Sequence, residues 1–414
     1  MGRVVVIGGG AAGLMAAYAA GSQGAQVTLL ERNEKLGKKI YITGKGRCNL
    51  TNDCPPDEFL ENVVRGEKFL TGALWSFSPE DMMSLCERFS LPVKVERGNR
   101  VFPVSDHASD VTKMLERACL SVGVTIKLQE YVKKIGVLHS TMRDIITQNG
   151  AYPCEAVVVA TGGLSYPSTG STGDGLRFAK SLGHKIAPCV PSLVGLNCKG
   201  DFSALQGVSL KNVCLFAMRG GKVIFSEQGE MLFTHYGISG PLVLSLSARI
   251  NRLPFAELSC FIDFKPALDR ETLDRRLVRN LSERKNEQMK NVVRGLLPSA
   301  LCLPVLKEAG IDPFKHANAV TREERGRLLD SLKKFPVVLT SLRGFEEAVV
   351  TSGGVELKDV SSKTMESKLA PGVFFAGEVL DVDAYTGGFN LQIAFSTGMT
   401  AGIAAARHAG KMGE

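Results

Sequence analysis

Several features that would assign a protein class at once are missing from this 414-residue sequence. No uninterrupted apolar run approaches the ~18–20 residues of a membrane-spanning helix, so we expect no membrane span. A strand pattern begins within three residues of the N-terminus, which leaves no room for a signal peptide and predicts a cytoplasmic protein. Metal-ligand spacings such as HExxH are absent, so no metal site is expected.

Cysteines are present, ten in all, but no two of them form a CxxC pair. In the cytoplasm they are expected to be reduced. Cys48 and Cys54 are close in the sequence, and a redox disulfide between them is the alternative. We expect free thiols at both positions.

The charge balance is basic, with a formal net charge of +8. Segment 265–294 carries nine Lys and Arg residues interleaved with acidic ones, and leucines recur every four residues from Leu273 to Leu281. This pattern predicts an amphipathic helix with a mixed-charge solvent face. No RRM, zinc-finger or helix-turn-helix signature accompanies it, so nucleic acid is not the expected partner. Electrostatic steering of an anionic substrate explains the same charge.

Residues 3–31 contain a complete dinucleotide-binding pattern: a β-branched run, a Gly-x-Gly-x-x-Gly turn, an Ala-rich helix and a second apolar run. Gly8 permits the tight turn, Gly10 lets a pyrophosphate approach the backbone, and Gly13 lets the helix pack closely on the strand. The helix N-terminus offers free N–H groups and a positive dipole end to the phosphates. The pattern therefore predicts a bound dinucleotide.

Glu31 ends the second apolar run, 18 residues after Gly13. Its carboxylate can accept hydrogen bonds from the adenosine ribose hydroxyls and disfavours a 2′-phosphate, so NADP is not expected at this site. Both NAD and FAD remain possible on this evidence alone.

Glycine-rich segments at three distant places favour FAD, because a long cofactor touched by three regions suits FAD better than NAD. These segments are 8–13, 161–175 and 377–388. Segment 43–52 contains Arg47, which can pair with a phosphate through both ends of its guanidinium; a polar surface turn is the alternative. Gly387 and Gly388 precede a predicted helix, whose N-terminus can stabilise negative charge at flavin N1/C2=O or simply pack on the sheet.

A chain of this length is expected to contain two or three domains. The first and last parts of the chain share a pattern of apolar strands, glycine-rich turns and Ala-rich helices. We therefore predict an α/β dinucleotide-binding domain that an insert interrupts. Its N-terminal part covers 1–190 and its C-terminal part covers 351–414. Short apolar runs between turns predict a β-rich insert at 191–265 and 336–350, and leucine periodicity predicts a helical subdomain at 266–335. Within the first part, 78–121 is predicted to be helical and 122–150 to form a β-meander.

The motifs GRCNLTN, SYPSTGSTGDG, FTHYGISGP and DVDAYTGGFN, together with GGGAAGLMAA, resemble the BaiN/RdsA (YhiN-like) family of bacterial FAD-dependent flavoproteins from end to end. The resemblance implies a split Rossmann-like FAD-binding domain with a β-barrel-like insert and a small helical subdomain. It also implies non-covalent FAD and oxidoreductase activity, and some members are linked to double-bond reduction in bile acids or steroids. Two departures, Lys45 and the pair Ala384-Tyr385, fall near the expected flavin.

The expected FAD contacts come from every segment described above. They are Gly8, Gly10, Ala11, Ala12, Gly13, Glu31, Arg32, Lys39, Gly46, Arg47, Cys48, Asn49, Thr161, Gly162, Gly163, Gly377, Glu378, Gly388, Phe389, Asn390 and Leu391. Flavin carries the hydride chemistry, so the protein needs to add only substrate positioning and a proton. Tyr385 is the preferred proton donor, with His235 and Tyr166 as further candidates. Asp381 and Asp383 are expected to bind ribityl hydroxyls or to cap their loop.

The function that these features favour is an FAD-dependent reductase or dehydrogenase of a hydrophobic small molecule, such as a steroid- or bile-acid-like enone. No second Gly-x-Gly-x-x-Gly turn exists, so NADH or NADPH would bind only transiently as electron donor. Two alternatives remain: a flavoprotein that acts on RNA through its basic helical insert, and a non-catalytic flavin redox sensor. The oligomeric state is left open.

Overall fold

The computed structural model describes residues 2–139 and 142–412. They form two compact units. Unit 1 contains the described residues up to Ser192 and from Phe345 onward, and unit 2 runs from Leu193 to Gly344. The β-rich and helical parts of the insert, which the sequence separates after residue 265, belong to the same unit.

The helices are α1 Ala11–Ser22, α2 Lys38–Ile42, α3 Pro56–Glu61, α4 Glu67–Ser76, α5 Pro79–Arg88, α6 Ala108–Ser121, α7 Asp174–Ser181, α8 Pro241–Ile250, α9 Arg270–Glu283, α10 Met289–Val292, α11 Ser299–Glu308, α12 Arg322–Lys333 and α13 Phe389–Met412. The strands are β1 Arg3–Ile7, β2 Gln26–Leu30, β3 Thr51–Asn52, β4 Val63–Arg65, β5 Val93–Glu96, β6 Arg100–Pro103, β7 Thr125–Lys127, β8 Val132–His139, β9 Met142–Thr147, β10 Ala151–Cys154, β11 Ala156–Val159, β12 Ile186–Ser192, β13 Leu196–Cys198, β14 Ser209–Arg219, β15 Lys222–Thr234, β16 Gly237–Ser239, β17 Leu258–Asp263, β18 Phe335–Val337, β19 Leu339–Leu342, β20 Val350–Val355, β21 Val373–Phe375 and β22 Asp383–Ala384.

The centre of unit 1 is a five-stranded parallel sheet in the order β21-β11-β1-β2-β7. Its middle strands are continuous β-branched runs that are buried on both faces, as expected for a parallel sheet covered by helices. Helix α1 packs against α6 and α13. The sheet confirms the predicted α/β fold and places the carboxyl ends of β11, β1, β2 and β7 along one edge.

The C-terminal part of the chain completes this sheet. Strand β21 pairs with β11 in parallel register, and α13 lies against α1. Strand β21 is the short apolar run Val373–Phe375, and α13 is an Ala-rich helix that extends from Phe389 to Met412. The dinucleotide-binding domain is therefore split in sequence and continuous in space.

Smaller sheets surround this core. The predicted meander is present as β8-β9-β10. The helical segments predicted within 78–121 are present as α5 and α6, but the prediction missed the antiparallel hairpin that β5 and β6 form between them. The alternating pattern of 93–96 and the turn at Gly98-Asn99 favour that hairpin, because both are local strand signals.

Unit 2 is built on a seven-stranded antiparallel sheet in the order β18-β17-β14-β15-β16-β13-β19. In the part of the chain that the structure describes, no strand pairing joins the two ends of this order, so the sheet does not close into a barrel. Helices α9 to α12 follow the predicted helical segment, and Leu273 and Leu277 of α9 lie in the core of the unit. Over the described residues, no helix is long and apolar enough to cross a membrane.

Candidate cofactor site

The dinucleotide turn lies at the carboxyl end of β1 and leads into α1. Gly8 has a φ of +105°, and its N–H donates to Leu30 O at 2.8 Å. A Cβ on Gly13 would lie 1.7 Å from the Gly8 carbonyl oxygen, so only glycine lets α1 pack on the turn. Gly10 precedes α1 without a side-chain cap, and a Cβ built on it would have no neighbouring atom within 4 Å. The backbone at Gly10 is therefore open to a ligand.

The first turn of α1 supplies the hydrogen-bond donors for such a ligand. The first intrahelical bond runs from Leu14 N–H to Gly10 O at 2.9 Å, so the N–H groups of Ala11, Ala12 and Gly13 precede it and have no acceptor within the helix. Free N–H groups, a positive dipole end and an uncovered glycine are the features that bind a pyrophosphate. The residues present therefore fit the ADP half of FAD.

Glu31 lies at the end of β2 beside this turn, and only 6% of it is exposed. Its Oε2 accepts the Gly9 N–H at 2.7 Å, while Oε1 accepts the backbone N–H and the side-chain Nδ2 of Asn33, both at 2.7 Å. Three donors thus hold the carboxylate at the position where the motif predicts a ribose contact.

A polar cleft lies past the ends of β2 and β7. It is lined by Arg32, Leu128, Gln129, Tyr131, Gln148 and Asn149. The Arg32 guanidinium lies 4.9 Å from the Tyr131 ring centre, and its Nη1 donates to Thr172 Oγ1 and Asp174 Oδ2 at 2.6 and 2.9 Å. Sequence reasoning missed Gln129 and Tyr131 because no motif marks them; their place after a third parallel strand is the signal that could have found them.

Lys39 and Glu378, both expected to contact FAD, contact each other. Lys39 Nζ lies 2.5 Å from Glu378 Oε2 and donates to Ser165 Oγ at 2.6 Å. The hydroxyl of Ser165 and the N–H of Thr351 donate to Glu378 Oε1 at 2.6 and 2.8 Å. This network joins α2 to the second and third glycine-rich segments.

Arg47 has a protein carboxylate where the motif predicts a phosphate. Its Nη1 and Nη2 donate to the two oxygens of Glu96 at 2.9 Å each, and Nη1 also donates to Asp106 at 3.2 Å. The guanidinium lies 4.0 Å from the Phe102 ring centre. Glu96 binds both ends of the guanidinium, so the bidentate partner of Arg47 in this structure is a carboxylate, whereas the sequence predicts a phosphate.

The residues beside Arg47 shape the backbone. Gly46 has a φ of +88°. Cys48 is fully buried, and burial raises the pKa of its thiol to about 12. The Asn49 amide, oriented so that both of its ends have partners, donates to Thr51 O and accepts the Gly388 N–H, each at 3.0 Å. Asn49 therefore holds the start of α13 against the 43–52 segment.

Segment 161–163 follows β11 directly. Gly162 has a φ of +73°, and a Cβ on Gly163 would lie 2.5 Å from Thr351 Oγ1. Thr161 Oγ1 lies against Gly175 of α7 and, over the described residues, has no hydrogen-bond partner. The backbone of this segment, rather than the Thr161 hydroxyl, lies next to the Gly8 turn.

The third glycine-rich segment brings α13 close to β3. A Cβ on Gly388, whose φ is +100°, would lie 2.2 Å from Thr51 O, so a side chain there would separate the two. Phe389 is buried and packs edge-on against Phe59, with ring centres 4.9 Å apart. Its side chain is thus part of the core.

Asn390 holds the loop before α13. Its Oδ1 accepts the Ala384 N–H at 3.0 Å, and its Nδ2 donates to the carbonyls of Ala384 and Tyr385 at 2.8 and 3.2 Å. Leu391 is half-buried beside it, and Gly377 is buried, with its N–H donating to Thr397 Oγ1 at 2.9 Å. These residues shape the site through the backbone.

The three expected proton donors do not lie in one unit. Tyr385 and Tyr166 are half-buried in unit 1, and His235 is exposed in unit 2. Asp381 and Asp383 have protein partners: Asp381 pairs with both ends of the Arg65 guanidinium at 2.7 and 2.9 Å. The hydroxyls of Ser192 and Ser352 donate to Asp383.

A family model described as the HI0933-like protein Rossmann domain matches residues 2–404. The chain belongs to the HI0933-like family. This assignment agrees with the resemblance noted in the motifs.

Named relatives match this HI0933-like protein from end to end. It is 33% identical to the 3-dehydro-bile acid delta(4,6)-reductase of Clostridium scindens, over 98% of this chain and 99% of the relative. It is 31% identical to the ribosomal RNA dihydrouridine synthase of Escherichia coli, over 95% of each chain. A solved structure, the 3-ketosteroid delta1-dehydrogenase of Sterolibacterium denitrificans, superimposes with a TM-score of 0.54 over 98% of this chain and 100% of its own, at 14% identity.

The structural likeness shows the fold. The family match and the open turn at Gly10 support FAD as the cofactor. Together they make the HI0933-like protein an FAD-dependent oxidoreductase.

Proposed function

We propose that this HI0933-like protein reduces a carbon–carbon double bond conjugated to a carbonyl group, with a hydrophobic enone as its first candidate substrate. The end-to-end relation to a named 3-dehydro-bile acid reductase carries the proposal. A 3-oxo group activates its neighbouring double bond toward hydride, because the carbonyl accepts the negative charge that develops. The dihydrouridine synthase relative is named for saturation of a similarly conjugated bond.

Reduced FAD, when bound, would supply the hydride in such a reduction, with NADH or NADPH as the candidate source of its electrons. We assign its pyrophosphate to the N-terminus of α1 at Gly10, and its adenosine to Glu31 and the polar cleft past β2 and β7. The start of α13 then serves the flavin end. These assignments agree with an uncapped helix, an uncovered glycine and an adjacent polar cleft along one sheet edge.

Within this proposal Tyr385 donates the proton to the substrate carbon. Asn390 holds its carbonyl, and the Tyr385 N–H donates to Asn62 O at 3.0 Å, so the backbone that carries the phenol is fixed. We expect Tyr385→Phe to lower kcat by about 10²-fold, the size of a lost general acid, while flavin content is unchanged. Tyr152→Phe is the matched control, since it also removes a half-buried phenol from unit 1.

The decisive experiment is anaerobic reduction of the purified protein by NADH or NADPH, followed by addition of single enones. A 3-oxo-Δ4 steroid that reoxidises the flavin and appears as its saturated product supports the proposal. A protein that remains colourless after FAD addition and desalting contradicts the cofactor assignment. A reduced flavin that neither a steroid enone nor a uridine-containing RNA reoxidises contradicts the reaction class.

RNA is the second candidate substrate, and two observations favour it. A relative is named for a reaction on ribosomal RNA, and α9 carries Arg276 and Arg279, which have no acidic partner within 4 Å over the described residues. Replacing both with Glu should abolish salt-dependent RNA retention if this helix binds RNA. Replacing the exposed Lys211 and Lys222 with Glu gives the same charge change as a control.

A further inference from the structure

Residues 164–173, between β11 and α7, run along the edge of the parallel sheet where the strands end. The segment starts just past β11, yet its Thr169 O accepts from Asn33 Nδ2 at 3.0 Å and its Thr172 Oγ1 accepts from Arg32 at 2.6 Å. Arg32 and Asn33 directly follow β2. Since β1 lies between β11 and β2, the segment crosses the carboxyl end of β1, a distance of roughly 10 Å at ordinary strand spacing.

The near end of this segment is firmly anchored. The N–H groups of Leu164 and Ser165 both donate to Thr351 Oγ1, at 2.8 and 3.0 Å, and the Tyr166 N–H donates to Phe345 O at 2.9 Å. Ser165 and Thr351 are fully buried. Buried hydrogen bonds of this kind are costly to break, so this end stays in place.

The far end, where Thr169 and Thr172 meet Asn33 and Arg32, is held by groups near the surface. The return to α7 is anchored separately, because Ser171 is buried and the Gly173 N–H donates to Gly163 O at 3.2 Å. Asp174 accepts from Arg32 Nη1 at 2.9 Å, from the Tyr131 hydroxyl at 3.2 Å and from Arg177 Nη2 at 3.2 Å. The Arg32 side chain is 37% exposed, and exposed ion pairs contribute little to stability. This far end can therefore open while the start of the segment and its return at Ser171 and Gly173 remain fixed.

Arg32 and Tyr131 also line the polar cleft past β2 and β7. The groups that hold the far end thus stand at the place assigned above to the adenosine. A nucleotide bound in the cleft would lie beside them.

We propose that residues 164–173 form a strap that closes over the ADP half of the cofactor, and that Arg32, Tyr131 and Asp174 form the latch of this strap. The proposal rests on the FAD site proposed above. Arg32 then acts as a positioning residue: it retains the cofactor by holding Asp174 and Thr172. Opening the latch speeds both entry and release of FAD.

The test measures FAD release and uptake in the holoprotein by the recovery and loss of flavin fluorescence. We expect Arg32→Ala and Asp174→Asn each to raise the release rate by about 3- to 30-fold and also to raise the uptake rate. The double variant should release FAD no faster than the quicker single variant, because both changes open one latch. A direct ligand role for Arg32 predicts slower uptake and additive effects, and that result would overturn the proposal.

Arg3→Ala is the matched control. Arg3 pairs with Glu155 at 2.7 Å with side-chain exposures of 39% and 14%, close to the 37% and 17% of Arg32 and Asp174. It lies at the opposite end of β1, so its loss should leave FAD release unchanged.

Hydrogen exchange measured without FAD tests the strap proposal independently of the proposed FAD site. Amides of 166–170 should exchange faster in Arg32→Ala than in Arg3→Ala, whereas those of 164, 165 and 173 should not change. Unchanged exchange across the whole segment would contradict the latch even if FAD binds. Failure of the unaltered protein to bind FAD would instead refute the proposed function.

Discussion

Asp383 offers the sharpest test of the energetics of this fold. The residue lies on β22, none of its surface is exposed, and its two oxygens accept from Ser192 and Ser352 at 3.0 and 3.1 Å. Burial raises the pKa of its carboxyl from 3.8 to about 6, against the opposing effects of the two serine hydroxyls and Arg65. The folded protein therefore binds a proton at Asp383 more tightly than the unfolded chain does.

The sign of the pH dependence follows from this raised pKa. The stability that the protonated carboxyl provides is fully present below about 3.8 and is lost as the pH rises through about 6. A shift of about two pKa units corresponds to about 3 kcal/mol, and roughly half of it is lost between pH 5 and pH 8. Asp383→Asn removes the titrating group and can still hydrogen-bond to both serines. The difference in free energy of unfolding between Asp383→Asn and the unaltered protein should therefore shift in favour of the variant by about 1–2 kcal/mol from pH 5 to pH 8.

Urea unfolding near pH 5 and near pH 8, at saturating FAD, measures the effect. Trp75, the single tryptophan, lies in unit 1 and reports its unfolding by fluorescence. Asp106→Asn is the control: Lys94 holds the pKa of Asp106 below its usual range, so the stability change should be equal at both pH values. The reasoning would be refuted if Asp383→Asn changed the free energy of unfolding equally at both pH values, or if it stabilised the protein more near pH 5 than near pH 8.

Two further predictions concern the turn and the thiols. Gly10→Ala should leave the free energy of unfolding nearly unchanged but weaken FAD binding at least tenfold by titration, because a Cβ there meets only open space in the protein. Gly13→Ala should instead destabilise the protein by about 2 kcal/mol or more in the same urea assay, because its Cβ would collide with Gly8 O. Cys48 and Cys54, whose thiol pKa values burial raises to about 12, should resist a thiol reagent near pH 8 until the protein unfolds; rapid labelling would contradict their burial.

Predictions about the backbone succeed where the signal is local. The turn from Gly8 to Gly13 requires glycines at set places, so its strand, turn and helix are readable from neighbouring residues. The hairpin of β5 and β6 was missed within a predicted helical stretch, although its turn signal is equally local. The open order of the seven-stranded sheet in unit 2 could not be derived, because strand pairing depends on residues far apart in sequence.

Side-chain partners were the hardest part of the site to predict. Arg47 was expected to bind a phosphate, but the fold brings Glu96 within 2.9 Å of both ends of its guanidinium. In a sequence, a charged side chain near a predicted cofactor-binding motif is readily assigned to the cofactor. Only the path of the chain shows which carboxylates stand closer.

The sequence by itself determined that this chain has a dinucleotide turn, a split α/β domain and membership in a flavoprotein family. Those properties depend on short-range spacing, on glycine geometry and on motifs that need no long-range contact. The tertiary structure decided that Lys39 meets Glu378 and that Arg32 meets Asp174, pairs that are 339 and 142 residues apart in sequence. The physical reason is that electrostatic and hydrogen-bond partners are selected by proximity in space, which the parallel sheet creates by bringing distant strand ends to one edge.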